Sequence, residues 1–202
     1  MILNHHAVPE NVLALLNTLM ADQALDPFYL VGGTSLALRL GHRISIDIDL
    51  FTHDDIDVDA LAEFISKKYS AQHIEKGKDA VLAMVQGVKL DLIAHKHPLV
   101  EPLEVGDGIR LVSLKDIAAM KINAISNRGA KKDFWDYAAL LKYFSTEEML
   151  CFFEKKYPSA NAWHAEKSLA FFDDSELDPD PVDLSGMSWP GVKRMIIQSL
   201  GL

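Results

Sequence analysis

Apolar residues recur at a helical interval just after Pro9, where Val12, Leu15, Leu16, Leu19 and Met20 form one stripe. This predicts an amphipathic first helix with the proline at its first position. "FYLV" (28–31) follows as a short buried strand, and residues 34–40 suit one or two helical turns that Gly41 can end in a left-handed cap. "ISIDIDLF" then alternates strictly. Ile44, Ile46, Ile48 and Leu50 share one face of a predicted strand, and Ser45, Asp47, Asp49 and Phe51 share the other. Residues 53–69 read as a helix with carboxylates at its start. Residues 80–95 read as two strands joined at Gln86-Gly87, with Asp91 opposite the face of Val88, Leu90 and Leu92.

From Ser113 the period turns helical. Ser113 and Asp116 have capping-box spacing, and Gly129 stands beyond the helix end. Further helices are expected over 134–144, 146–157, 161–172 and 190–200, with the Pro- and Asp-rich stretch between the last two running extended over the surface. The chain therefore divides into an α/β half, residues 1–112, and a helical half, residues 113–202.

Composition narrows the class. With 202 residues, 49% of them hydrophobic, the chain can bury a sizeable core. Cys151 is the single cysteine, so no intramolecular disulfide is possible, and no apolar run reaches the ~18 residues of a membrane span. The expectation is a cytoplasmic protein with no membrane contact. A net charge of −9 disfavours non-specific coating of nucleic acid, yet leaves room for a nucleic-acid substrate at a locally basic face.

The candidate chemistry lies in the Asp-x-Asp strand. Strand parity puts Asp47 and Asp49 on one face about 7 Å apart, where two like charges resist burial unless a cation joins them. Magnesium, or manganese, is the natural ion, since it is commonly held by one or two carboxylates together with substrate phosphates. Asp91 on a neighbouring strand can complete a set of three, and such a set can hold ions that activate a hydroxyl and clamp a triphosphate for in-line displacement. Gly32 and Gly33 stand at a strand-to-helix junction, where backbone N–H groups can meet a phosphate, and Thr34 and Ser35 add hydroxyls. Neither a Walker loop nor a dinucleotide fingerprint is present.

"VGG", thirteen residues, "DID" and a downstream "LDL" resemble the signature of the DNA polymerase beta-like nucleotidyltransferases. Within that superfamily, "GGTSLALRLGHRISIDIDLF", "LKDIAAMKINAISNRGAKKDFWDYAALL" and "FFDDSELDPDPVDL" with "SWPGVK" closely resemble the AbiEii/AbiGii nucleotidyltransferase toxins over nearly the whole chain. The resemblance implies an α+β fold: a mixed nucleotidyltransferase sheet flanked by helices, followed by a C-terminal helical lobe. It implies that Gly33 and Ser35 touch the triphosphate, that Asp47 and Asp49 bind magnesium, that Asp91 is the third carboxylate, and that Lys121 lies near the nucleotide. It also implies a separate antitoxin partner and, as in characterised relatives, transfer of a nucleotide to transfer RNA acceptor ends.

The helical half adds polar groups of its own. Lys121 and Arg128 share a stripe with Ile117 and Ile125 and either snorkel from the core edge or reach the cleft. In "KKDFWD", Asp133 and Asp136 are one turn apart and can orient those cations or cap the next helix, while Lys132 is a further candidate for phosphate contact. Arg39, His42 and Arg43 suit a surface turn as well as they suit substrate contact. His5, His6, His95 and His97 read as solvated, and Cys151 as buried and inert. The combined expectation is a magnesium-dependent nucleotidyltransferase toxin using a nucleoside triphosphate and an RNA acceptor. The alternatives are a non-catalytic nucleotide-binding partner protein, or nucleotidylation of a protein or small molecule.

Overall fold

The computed structural model describes residues 2–202. Helix α1 (Glu10–Met20) precedes the very short strand β1 (Tyr29–Leu30), α2 (Gly32–Leu40) and β2 (Ile48–Thr52). Helix α3 (Val58–Tyr69) leads to β3 (Gln72–Lys76), β4 (Ala80–Val85), β5 (Val88–Ala94), β6 (Glu104–Gly106) and β7 (Ile109–Leu111). The helical half follows as α4 (Leu114–Asn127), α5 (Lys131–Leu140), α6 (Thr146–Lys156), α7 (Ala162–Ser168) and α8 (Trp189–Ser199). The fold is α+β, with one mixed seven-stranded sheet in the order β3-β4-β5-β2-β1-β7-β6. The central pair, β2 and β5, is parallel, while β1 pairs antiparallel with β2 and parallel with β7.

Alternation along β2 and β5 decides which side chains reach the core. Ile48, Leu50, Leu90 and Leu92 are fully buried with Leu16 and Leu19 of α1 and Ile65 of α3, each such side chain contributing about 1.5–3 kcal/mol by leaving water. Asp49 and Asp91, one position out of phase, take the opposite face. A second cluster gathers Ile117, Phe134, Trp135 and Phe153 from the helices, together with Tyr29, Val31 and Leu36 from the sheet half. The two halves of the chain thus share a core that holds α2 against α4 and α5. No helix among the described residues is long and apolar enough to cross a membrane.

Several predicted boundaries move, each for a local reason. Strand β2 begins at Ile48, not Ile44, because Arg43 bridges Asp183, Ile44 N–H donates to Val182 O (2.8 Å) and Ser45 N–H donates to Ala7 O (3.0 Å). Asp47 therefore precedes the strand, and Ile46 is 59% exposed. Pro9 is the N-cap of α1 and not its first residue, and α7 stops at Ser168. Helix α5 starts at Lys131, so Asp133 and Asp136 lie within it. Ser113 caps α4 through Asp116 N–H, but the Asp116 carboxylate turns to Val100 N–H (2.9 Å), Glu101 N–H (3.2 Å) and Lys156 Nζ (2.8 Å) instead of closing a capping box. Cys151 is exposed rather than buried. His95 and His97 are not simply solvated: their rings lie 4.8 Å apart, and both pack on Tyr157. Burial, followed by Lys156, lowers the His95 pKa to about 4.

Candidate active site

Asp49 of β2 and Asp91 of β5 are register partners across the parallel pair, so the sheet sets two carboxylates side by side on the face turned away from α1. Beyond Asp49 lies the start of α2. Gly32 has φ +69°, and a Cβ there would sit 2.5 Å from Asp49 Oδ2. A side chain at Gly33 would collide with the Arg43 guanidinium and stand 3.3 Å from Ser45 Oγ. The two glycines therefore bring the helix N-terminus against a carboxylate on one side and an arginine on the other. Val31, the N-cap, supplies no side-chain acceptor, which leaves the first-turn N–H groups without a capping side chain.

Electrostatics distinguish the three acidic residues. Burial raises the Asp49 pKa, Asp91 and Asp47 push it further, and Lys121 opposes them. Asp91 is 7% exposed; its Oδ2 accepts from Lys89 Nζ at 2.6 Å, and its Oδ1 is buried without a hydrogen-bond partner. Asp47 is partly exposed and meets Lys132 Nζ at 3.3 Å. Among the described residues, no group of three or more His, Cys, Asp or Glu side chains is gathered to hold a metal ion. What the sheet does assemble is the Asp49–Asp91 pair, with Asp47 at its edge drawn toward Lys132. Hard oxygen donors crowded enough to raise a pKa, one of them an orphaned buried oxygen, fit a divalent cation as a neutralising partner.

Behind this face lies a buried ionic network. Asp136, with no exposed side-chain surface, contacts His42 Nε2 at 2.7 Å, accepts from Arg43 Nε (2.6 Å) and Nη2 (2.8 Å), and pairs with Lys121 Nζ at 2.6 Å. Lys121 also reaches Asp133 at 3.0 Å, and Arg128 clasps Asp133 through Nε (2.7 Å) and Nη2 (3.0 Å). Desolvation pushes both carboxyls up, but Arg43 and Lys121 hold Asp136 well below its ordinary value, and Lys121 and Arg128 hold Asp133 below its own. Desolvation lowers the pKa of Lys121, and Asp136 and Asp133 more than reverse it, giving a net rise.

Arg43, Lys121, Asp133 and Asp136 are thus committed to one another beneath the site, while Arg128 and Lys132 keep about half of their side chains exposed. Thr34 and Ser35 are fully buried. The Thr34 hydroxyl donates to Asp47 O and accepts from Ser45 Oγ (2.9 Å) and so fixes the loop that carries Asp47, while Ser35 Oγ is buried without a partner. Sequence reasoning passed over Lys89. Its signal was available, because Lys89 and Asp91 occupy the same parity of one strand.

The chain matches the family model of the AbiEii nucleotidyl transferase toxin, type IV toxin–antitoxin system, over residues 14–198. It is 35% identical over 156 residues to an uncharacterized protein of Aquifex aeolicus (strain VF5), covering 74% of this chain and 76% of that protein. Its fold resembles that of a Helicobacter pylori protein, with a TM-score of 0.61 at 19% identity over 96% of this chain and 94% of that one. It likewise resembles MenT4, a nucleotidyltransferase toxin of Mycobacterium tuberculosis H37Rv, with a TM-score of 0.57 at 15% identity over 93% and 83% of the two chains. The antibiotic-resistance factor ANT(2″)-Ia shares the fold over 72% of this chain and 91% of its own, with a TM-score of 0.54 at 18% identity. The family match spans the paired carboxylates, the glycine junction and the helical half together, and the chain belongs to the AbiEii family of nucleotidyltransferase toxins of type IV toxin–antitoxin systems.

Proposed function

We propose that this nucleotidyltransferase moves a nucleoside monophosphate from a nucleoside triphosphate to a hydroxyl of an RNA acceptor, the 3′ end of a transfer RNA, and that a cognate antitoxin restrains it. The observation that carries this reading is the in-register Asp49–Asp91 pair set against the Gly32-Gly33 helix start, with Asp91 Oδ1 buried and unpartnered. In this account Asp47 and Asp49 would hold divalent magnesium or manganese, which when bound supplies Lewis-acid polarisation of the phosphate and lowers the pKa of a nearby hydroxyl.

The chain's own residues then divide the work. Lys89 occupies Asp91 Oδ2, which leaves Oδ1 as the atom that takes the acceptor hydroxyl proton. The acceptor oxygen bonds to the α-phosphorus, the bond from that phosphorus to the bridging oxygen breaks, and pyrophosphate leaves. First-turn N–H groups of α2 bind phosphate oxygens, as an uncapped helix start favours. Lys132 and Arg128, each about half exposed, neutralise the leaving charge in this account. Lys121, buried and fixed by Asp133 and Asp136, acts through its field at Asp49 and not by touching substrate.

The test is incubation of the protein with each α-labelled nucleoside triphosphate, magnesium and total transfer RNA, beside the Asp47→Ala/Asp49→Ala variant. Label entering RNA with the wild-type protein alone is the expected result. Label appearing only in protein or in small molecules overturns the RNA acceptor.

A further inference from the structure

The Pro- and Asp-rich stretch between α7 and α8 is a fixed strap, not a loose connection. Ile44 N–H donates to Val182 O (2.8 Å), Leu184 N–H donates to His42 O (2.9 Å), and Arg43 forms a bridge with Asp183. Lys131, 4% exposed, ties the strap from below: its N–H donates to Asp178 Oδ2 (2.9 Å), and its ammonium donates to Asp178 O (2.5 Å) and Asp180 Oδ1 (3.1 Å). Trp135 Nε1 donates to Asp183 Oδ1 at 2.9 Å. Asp178 and Asp183 are thereby turned to internal partners, Asp180 pairs with Lys131 while staying 58% exposed, and two prolines stiffen the strap.

Between the strap and the loop that carries Asp47 lies an open cavity of about 430 Å³. Ile46, Pro179, Pro181 and Val182 give it apolar walls, and its charged lining is Arg43, Asp47, Lys132, Asp178 and Asp180, with Asp47 paired to Lys132 and Asp180 to Lys131. Ile46 and Val182 are 59% and 65% exposed, an apolar surface left open to water beside a charged site. A volume of several hundred Å³ with apolar walls and a few convergent polar groups is typical of a small-molecule site. The slot thus combines flat apolar walls with an ammonium, Lys132, that can meet a phosphate.

We infer that this slot binds a nucleoside, its base against Ile46, the prolines and Val182 and its phosphate directed to Lys132. The inference rests on the proposed function and names one place where that function grips its substrates. The nucleoside comes either from the donor triphosphate or from the terminal residue of the acceptor RNA, and the experiment separates the two.

Val182→Asp and Ile46→Asp each put a carboxylate on an already exposed wall, so the fold is expected to persist, as circular dichroism melting will show. Binding of the four fluorescent methylanthraniloyl nucleoside triphosphates, of total transfer RNA and of inorganic triphosphate is measured with magnesium for both variants and the wild type. A loss of about tenfold in triphosphate affinity, with inorganic triphosphate unaffected, assigns the slot to the donor. A comparable loss confined to transfer RNA assigns it to the acceptor. Unchanged affinity for both in both variants overturns the slot, as does absence of both from the wild-type protein. Slot-dependent binding without RNA labelling by the wild type leaves the slot standing and removes the RNA-transfer reading. Hydrogen exchange provides a check that needs no variant: bound nucleotide or RNA should slow exchange of the Val182 amide in the slot wall, and unchanged exchange with both contradicts the inference.

Discussion

At Asp49 the charge that the proposed chemistry uses works against folding. Burial, Asp91 and Asp47 raise its carboxyl pKa above the ordinary 3.8, so the native state holds the proton more tightly than the unfolded chain. Stability therefore falls as pH rises from 3.8 through the native value, and the penalty is complete above it. Asp49→Asn should raise the Tm of the metal-free protein at neutral pH while lowering transfer by about 10³-fold or more; a lowered Tm would contradict this sign. Asp136 is the opposite case. Its pKa lies well below 3.8, so its contribution is complete above 3.8 and is lost only as pH falls through the native value. Asp136→Asn leaves Arg43 and Lys121 buried beside a neutral partner and should cost about 3–5 kcal/mol in urea unfolding at neutral pH. Gly32→Ala should cost about 1–2 kcal/mol for its left-handed φ and displace Asp49 besides, because the new Cβ would meet Oδ2 at 2.5 Å. Much of this was legible. The glycines and the Asp-x-Asp spacing pointed to the candidate site, whereas the pairing of Lys121 with both Asp133 and Asp136 depends on how α4 meets α5, which no local spacing encodes.

Among the elements, those with strong periods or turn signals were readable. The Gln86-Gly87 turn, with φ 53° and 77°, joins β4 and β5 as the sequence indicated. Asp107-Gly108, with φ 49° and 81°, carries the same signal and joins β6 to β7, a hairpin the sequence reading overlooked because its strands are only three residues long. Strand β3 carried no apolar alternation, since four of its five residues are exposed at the sheet edge. The strap was the least legible element. Its contacts to His42 and Ile44 span some 140 residues of sequence, and they also explain why β2 begins late. Lys131 is the strap's anchor, so Lys131→Met should release it. Limited proteolysis is expected to cut within residues 178–184 of that variant much faster than in the wild type. Equal resistance would mean that the main-chain bonds suffice without the lysine.

Over the whole molecule, a net charge of −9 coexists with a site whose cations are mostly spent on internal carboxylates. Lys89, Arg128 and Lys132 are the site cations with about half of their side chains exposed. If these three meet RNA phosphates, affinity should fall with log salt at a slope of about −2; a slope steeper than about −5 would place the RNA on another surface. The central claim, that this chain transfers a nucleotidyl group at the Asp49–Asp91 pair, is tested most directly by supplying the same nucleoside triphosphate labelled at either the α- or the γ-phosphate. Total transfer RNA and magnesium are present, and the wild type is run beside Asp49→Asn. The account predicts α-label in RNA, γ-label released as pyrophosphate, and neither event with Asp49→Asn. Transfer of the γ-label, or undiminished α-label transfer by Asp49→Asn, would contradict it.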